Sequence, residues 1–495
     1  MSTLHFKSTR SSDESLTFAQ AVVKGIASGG GLFVPTEIPK LDFLDGQLKD
    51  LSYQALAKVI LSQFATDFTS EELDKCILSA YDDKFRHSQI APVHTCDKAS
   101  FIELYHGKTL AFKDMALSIL PHFMTTSAKK LGTKEDIIIL AATSGDTGKA
   151  ALEGFANVDG IDIVVFYPTD GVSDVQKRQM ITQEGQNTHV FGINGNFDDA
   201  QNGVKKIFTD EAYKSLLKEK GYILSSANSI NIGRLVPQIV YYVHAYYQLV
   251  KTGTIALGDE INVVVPTGNF GNILAAYYAK NMGLPVKKFI CASNTNNVLA
   301  DFFNTGVYDL NRPFIPTVSP SMDILISSNL ERFLYALSGN DDSVIASLMH
   351  DLKTKGHYAI NETMKENMAD FYGGYADDTA TVCAISKLYK NHGYTVDTHT
   401  AVAYQVYTDY VNKTGDMTQT LIASTASPFK FPRSVLEGLG QDVDAFSDFE
   451  LVELLSKKAG LDIPAPIKDI DKRPVLHNDI CDKSQLDSVV LDLLK

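Results

Sequence analysis

Short apolar runs rich in Val and Ile alternate with helical patterns through the middle of this 495-residue chain, and that alternation restricts its fold more than any other feature. Residues 136–142 read as a buried strand, 148–155 as the helix after it and 161–166 as the next strand. Runs at 188–193, 261–265 and 286–292 continue the series, with a helical pattern at 204–218 and an aromatic run at 241–247 between them. Alternation of this kind builds βαβ units, hence an α/β fold with parallel sheets. Ligands in such folds sit beyond the carboxyl ends of the strands, so the chemistry is expected in the loops that follow them.

Upstream of the alternation, residues 16–26 have helical periodicity and end at Gly29-Gly30-Gly31. That cluster precedes a short extended segment and Pro35 instead of opening a helix, which makes it a helix stop and turn rather than a phosphate loop. Residues 301–378 are helical in pattern, with breaks at Pro320-Ser321-Met322-Asp323 and Tyr372-Gly373-Gly374-Tyr375, and the acidic stretch after Gly440 reads as a helical cap. The chain therefore divides into an N-terminal domain, 1–95, a first lobe, 96–255, a second lobe, 256–440, and a C-terminal helical extension, 441–495.

A hydrophobic content of 44% supports a large core. The 45 Lys and Arg against 59 Asp and Glu leave a net charge of −14, which gives no electrostatic footprint for nucleic acid or an anionic membrane. Any anionic ligand must then be met by a local cluster of donors. Cys76, Cys96, Cys291, Cys383 and Cys481 form no CxxC pair and have no His at a metal-ligand spacing, so reduced thiols and no metal are expected. The first seven residues lack an apolar signal segment and no run has the length of a membrane span, which points to the cytoplasm.

Four loops carry candidate chemistry. In Leu110-Ala111-Phe112-Lys113-Asp114-Met115, Lys113 follows an apolar pair and opens a run with the spacing of a buried helix face. Desolvation disfavours its charged form, and a buried amine near neutrality is what Schiff-base formation with an aldehyde requires. In Pro266-Thr267-Gly268-Asn269-Phe270-Gly271-Asn272, the glycines turn the chain tightly between a strand and a helix, which leaves N–H groups free to cradle a phosphate. The spacing fits neither the dinucleotide fingerprint nor a Walker loop. Ser144, Asp146 and Thr147 stand at another strand-to-helix junction, able to receive a carboxylate or simply to cap the helix. Ser424-Thr425-Ala426-Ser427-Pro428 is a hydroxyl-rich turn after a short apolar run.

Together these loops resemble those of the pyridoxal-phosphate enzymes of the tryptophan-synthase-β fold, and most closely the threonine synthases, in the same order and from about residue 8 to 432. The resemblance implies a fold-type-II enzyme with two parallel-sheet lobes around pyridoxal 5′-phosphate. It makes Lys113 the catalytic, cofactor-anchoring lysine. It also implies that Gly268, Asn269, Phe270, Gly271 and Asn272 hold the cofactor phosphate, and that Thr425 faces the pyridine nitrogen. The loop of Ser144, Asp146 and Thr147 would hold the substrate carboxylate, with Asp146 fixing the loop or the cofactor hydroxyl. Arg234, in Asn231-Ile232-Gly233-Arg234, is the first candidate to take the substrate phosphate; Lys149, Lys177 and Arg178 are further candidates, with a solvated helix face as the alternative reading. His399 is expected to be structural, and Ser427 stands where the family pattern has histidine.

The reaction implied is O-phospho-L-homoserine plus water to L-threonine plus phosphate, a carbon–oxygen lyase reaction with Lys113 as the base at Cα. The expected partner is a small phosphorylated amino acid, with no nucleic acid or membrane, for a monomer or small homo-oligomer. A dehydratase or β-replacement enzyme on the same fold is the rival. Residues 8–35 and the Arg234 stretch favour the first reading.

Overall fold

The computed structural model describes residues 3–143, 145–169 and 172–494. Two parallel sheets dominate it. The larger one runs in the order β13-β10-β9-β14-β4-β3, formed by Phe371–Tyr375 (β13), Val286–Ser293 (β10), Ile261–Pro266 (β9), Thr420–Ser424 (β14), Ala99–Glu103 (β4) and Val93–Cys96 (β3). Only β3 is antiparallel to its neighbour. The smaller sheet is parallel throughout, in the order β15-β7-β6-β5-β8, from Ile480–Asp482 (β15), Thr188–Asn194 (β7), Ile161–Pro168 (β6), Asp136–Ala142 (β5) and Tyr222–Ser225 (β8). Two antiparallel pairs complete the strands: Phe6–Ser8 (β1) with Phe33–Pro35 (β2), and Val307–Asp309 (β11) with His357–Ala359 (β12).

The contiguous lobes read from the sequence do not follow these sheets. Strand β4 pairs with β14, Ala99 opposite Thr420 and Glu103 opposite Ser424, so the chain begins the larger sheet, leaves to build the smaller one, and returns. The tail is not helical throughout either. It crosses back to put β15 beside β7, with Cys481 opposite Ile193. A buried apolar run carries no mark of which distant strand it will pair with, and this is why the boundaries at 95, 255 and 440 were drawn along the chain.

Two smaller corrections have local causes. The helical pattern at 204–218 is split into Phe197–Thr209 and Glu211–Glu219, because the Asp210 side chain accepts from the Tyr213 N–H and starts a new helix. Tyr372-Gly373-Gly374-Tyr375 is no break but the body of β13. A Cβ on Gly373 would lie 2.7 Å from the Ala300 carbonyl oxygen, so the glycine lets the helix Val298–Thr305 lie directly on the strand.

The N-terminal segment folds as expected, from locally coded ends. Helix Phe18–Lys24 begins with a capping box at Thr17 and stops at Gly25, and Ser28–Gly30 is a short turn before β2. Helix Ser70–Ala80 has its own capping box at Thr69. The aromatic run becomes helix Gln238–Lys251, buried on all sides from Gln238 to Leu249, and its Tyr241, Tyr242, Tyr246 and Tyr247 join the main core. Among the described residues, no helix is long and apolar enough to cross a membrane.

Candidate active site

The carboxyl ends of β4, β5, β9 and β14 lead into the four loops singled out above, and the structure joins those after β4, β5 and β14 through hydrogen bonds. After β4 the chain turns through Leu110, whose backbone is left-handed (φ 61°), and is stitched to the loop after β14. The Phe112 N–H donates to the Thr425 carbonyl at 2.8 Å, and the Ser427 N–H donates to the Leu110 carbonyl at 2.9 Å. The turn is closed by Asp114, whose carboxylate accepts from the Thr109 N–H at 2.8 Å and from the Thr109 hydroxyl at 2.5 Å. Burial nonetheless pushes the Asp114 carboxyl up to about 6. A side chain on Gly107 would place its Cβ 2.4 Å from an Asp114 oxygen, so only glycine fits there.

Lys113 follows this turn, ahead of the short helix Asp114–Leu117, and only 9% of its surface is exposed. Its Nζ lies 3.6 Å from Asp146 Oδ2. Burial lowers its pKa; Asp146 opposes that shift, whereas the charges of Lys430 and Arg234 reinforce it. The sequence-based expectation of a desolvated amine therefore has a physical counterpart in the fold.

Asp146 starts helix Asp146–Phe155 after β5. Thr143 shapes the junction, its hydroxyl accepting from the N–H groups of Gly145 (3.0 Å) and Gly148 (2.9 Å). Ser144 lies outside the described residues, and Thr147 is half-buried in the first turn. Asp146 Oδ1 accepts from Lys430 Nζ at 2.6 Å and from Gln176 Nε2 at 2.8 Å, while Oδ2 faces Lys113 and accepts from the Ser321 hydroxyl at 3.3 Å. Burial works against its ionisation, but Lys430 and then Lys113 hold it far below the usual carboxylate range.

Lys430 is the functional candidate that sequence reasoning missed. Its side chain is fully buried, and it also donates to the Thr109 carbonyl at 3.1 Å and Gln179 Oε1 at 3.4 Å. The available signal was its setting, Pro428-Phe429-Lys430-Phe431-Pro432, a lysine flanked by aromatics much as Lys113 follows Phe112.

The turn after β9 forms a cradle. Gly268 is needed because a Cβ there would lie 2.8 Å from the Ser321 carbonyl oxygen, and Phe270 adopts a left-handed backbone (φ 63°) that swings the chain into helix Gly271–Met282. The Phe270 ring packs among Phe303, Phe333 and Phe371, so this residue serves the loop through its backbone. Asn269 is exposed, its side chain bonded to Ser328 and its carbonyl to Asn329. The helix has no side-chain cap. Asn272 Oδ1 accepts from the hydroxyls of Tyr241, at 2.8 Å, and Tyr242, while its buried Nδ2 has no partner among the described residues. An unmet buried donor costs about 1–3 kcal/mol, a deficit that an anion at this helix N-terminus would remove.

Arg234 presents a second unmet donor. It sits in helix Ile232–Leu235, its Nη1 donates to the Ala227 carbonyl at 2.8 Å, and its buried Nε has no partner among the described residues. Burial brings its pKa down to about 10. Thr425 is buried beside the Lys113 turn, which its carbonyl holds through the Phe112 N–H.

Most of the remaining candidates are engaged by partners within the protein. Lys149 is not on a solvated face: it is buried against Glu153, at 3.0 Å, and Gln183. Arg178 ties down the tail through the carbonyls of Ile470, Asp471 and Arg473, and Lys177 beside it is half-buried. His399 pairs with the fully buried Asp397 at 2.7 Å, and its Nε2 accepts from the Ser321 N–H at 3.1 Å, which fixes the segment lying against Gly268. The Ser427 hydroxyl accepts from the Phe429 N–H and caps a short turn.

Two parallel-sheet lobes, a buried lysine where their loops meet and an uncapped helix N-terminus with free donors define a fold-type-II pyridoxal-phosphate enzyme. Comparison with known proteins agrees. Residues 5–81 match the family model of the threonine synthase N terminus, and residues 101–421 match that of pyridoxal-phosphate dependent enzymes. The chain is 34% identical to threonine synthase of Schizosaccharomyces pombe, over 95% of this chain and 98% of that one. It is 42% identical to human threonine synthase-like 1 over 85% of this chain, but spans only 58% of the length of that relative. The crystal structure of pyridoxal-phosphate-bound threonine synthase from Brucella melitensis superposes with a TM-score of 0.88 at 33% identity, covering 99% of this chain and 98% of that one. The chain belongs to the threonine synthase family. The residues present fit the family's cofactor, as the free Asn272 amide and the uncapped helix beside it attest.

Proposed function

We propose that the protein converts O-phospho-L-homoserine and water to L-threonine and phosphate. The supporting observation is a pair of buried, unmet donors: Lys430 neutralises the carboxylate of Asp146, which leaves the Arg234 guanidinium without a counter-ion there and with a free Nε, and the Asn272 amide opening helix Gly271–Met282 has a free Nδ2. Unmet buried donors call for anionic ligands, and two phosphate groups, one on the cofactor and one on the substrate, would answer that need.

In this reading the N–H groups opening helix Gly271–Met282 and the Asn272 amide take the cofactor phosphate, with the loop shaped by Gly268, Asn269 and Phe270. The Thr425 hydroxyl meets the pyridine nitrogen and leaves it unprotonated. The free N–H groups at the start of helix Asp146–Phe155, Ser144 and Thr147 receive the substrate carboxylate, and the Arg234 guanidinium takes the substrate phosphate. Lys113 anchors the cofactor and, once released, accepts the proton from Cα as a neutral amine. Pyridoxal phosphate supplies the electron sink that stabilises negative charge at Cα. Two of these contacts, at the starts of helices Gly271–Met282 and Asp146–Phe155, include backbone donors, which cannot be titrated away. The expectation of a cytoplasmic monomer or small homo-oligomer belongs to the same proposal.

The test is product analysis. Purified protein loaded with pyridoxal phosphate should release phosphate and L-threonine from O-phospho-L-homoserine in equal amounts. Turnover of L-serine or O-acetyl-L-serine at a far higher rate, with no phosphate-dependent reaction, would replace this reading with a dehydratase or β-replacement enzyme.

A further inference from the structure

Two buried lysines share one carboxylate at the seam between the lobes. Lys430 Nζ is 2.6 Å from Asp146 Oδ1, whereas Lys113 Nζ is 3.6 Å from Oδ2. The arrangement spans the lobes: Asp146 comes from the helix after β5 of the smaller sheet, while Lys113 follows β4 and Lys430 follows β14 of the larger one. Nothing in the roles proposed above requires Lys430. Its ammonium group has three donors and finds three acceptors, Asp146 Oδ1, the Thr109 carbonyl and Gln179 Oε1, so no donor is left over for a ligand.

We infer that Lys430 is a positioning residue for Lys113: by taking up Asp146 at the shorter distance, it prevents that carboxylate from holding the Lys113 amine as an ammonium ion. The inference rests on the reading of Lys113 as the cofactor lysine.

The physical argument concerns which cation the carboxylate neutralises. One buried carboxylate offsets one buried positive charge well, and a second cation beside the pair meets burial without full compensation. Lys430, with a short contact and two further acceptors, is the partner better placed to stay charged. Lys113 has the longer contact, and the groups facing it are Asp146 from helix Asp146–Phe155, Lys430 from the turn after β14, and Arg234 from helix Ile232–Leu235. Two of those three are positive. Asp114, next in sequence, is bonded to Thr109 and so does not serve as the counter-ion. The neutral amine is the form that matters: its lone pair adds to the aldehyde carbon of the cofactor, and the carbonyl oxygen then leaves as water.

Removing Lys430 would act twice in the same direction. A repelling charge near Lys113 disappears, and Asp146 is left with Lys113 as its cation. The test is the pH dependence of cofactor attachment to the full-length protein. Protein is mixed with one equivalent of pyridoxal phosphate between pH 6 and 10, quenched with borohydride at intervals, and the modified Lys113 peptide is quantified by mass spectrometry. In Lys430→Met the midpoint of the rate should rise by about one pH unit or more, which is about tenfold slower attachment at pH 7. Lys430→Arg, which keeps the charge, should retain the parent midpoint. Asp146→Asn should move the midpoint the other way, downward, and should reverse the rise when combined with Lys430→Met. Circular dichroism establishes that each variant is folded; should Lys430→Met fail to fold, Lys430→Gln replaces it with the same expected rise. An unchanged midpoint in the folded neutral variant at Lys430, or in Asp146→Asn, overturns the inference. Modification at a lysine other than Lys113 overturns the cofactor reading beneath it.

Discussion

The two strand-to-helix junctions, β5 into helix Asp146–Phe155 and β9 into helix Gly271–Met282, have the same local design and opposite electrostatics. Both follow a buried parallel strand, both turn on glycine, and both lead at once into a helix without a side-chain cap. At the first, the opening residue is Asp146, and its carboxylate is already engaged by Lys430, Lys113, Gln176 and Ser321. At the second, the corresponding turn holds Gly271 and Asn272, with an amide nitrogen that has no partner among the described residues. A helix N-terminus attracts negative charge wherever it occurs. Whether the protein adds a negative charge of its own there depends on one side chain.

The largest effect should come from the lysine between the two junctions. Lys113→Ala should reduce turnover by at least about a thousandfold and abolish borohydride-stable attachment of the cofactor, because both the anchor and the base are lost. Retained turnover would remove Lys113 from the centre of the site.

The comparison can next be broken by making the second junction resemble the first. Asn272→Asp keeps an acceptor for the Tyr241 and Tyr242 hydroxyls but replaces the free donor with negative charge. Pyridoxal-phosphate affinity, measured by equilibrium dialysis, should fall on the order of a hundredfold from the repulsion of two anions in a partly buried site. Loss of no more than a hydrogen bond's worth of affinity would place the phosphate elsewhere.

Gly268→Ala sharpens the role of the turn itself. The added Cβ would lie 2.8 Å from the Ser321 carbonyl, in a segment also pinned by His399. Backbone must shift, and thermal unfolding of the cofactor-free protein should register a loss of about 1–3 kcal/mol. The smallest effect is expected at Thr425→Val. One neutral hydrogen bond is worth about 1 kcal/mol, so cofactor affinity should fall several-fold, with turnover reduced further. Identical affinity and turnover in this variant would place Thr425 outside the site.

Much of this arrangement was legible along the chain. Lys113 could be picked out because apolar neighbours surround it within a few residues, and the turns at 143–148 and 266–272 because glycine and short polar residues follow runs of Ile and Val. Helix ends at Thr17 and Thr69 are coded by side chains three residues from the backbone groups they satisfy. Lys430 was not legible, since nothing near it reveals that its partner is Asp146 on the other lobe. Lys149 misled for the same reason: its helix is amphipathic in pattern, but Gln183, from beyond the next strand, meets its amine and helps to bury it. Strand β13 was hidden because glycines that weaken a strand locally are required by a helix packed against it from elsewhere.

What the amino-acid order alone settles here is the set of parts: parallel-type strands, the glycine turns at their carboxyl ends, and a lysine with an apolar approach. These follow from backbone sterics and side-chain periodicity, which act over a few residues. Tertiary structure alone decides that β4 lies beside β14, that the tail closes the smaller sheet, and that Lys430, Asp146 and Lys113 meet. Strand pairing and the sharing of a buried charge depend on groups hundreds of positions apart, and their energies exist only once the intervening chain has folded and excluded water.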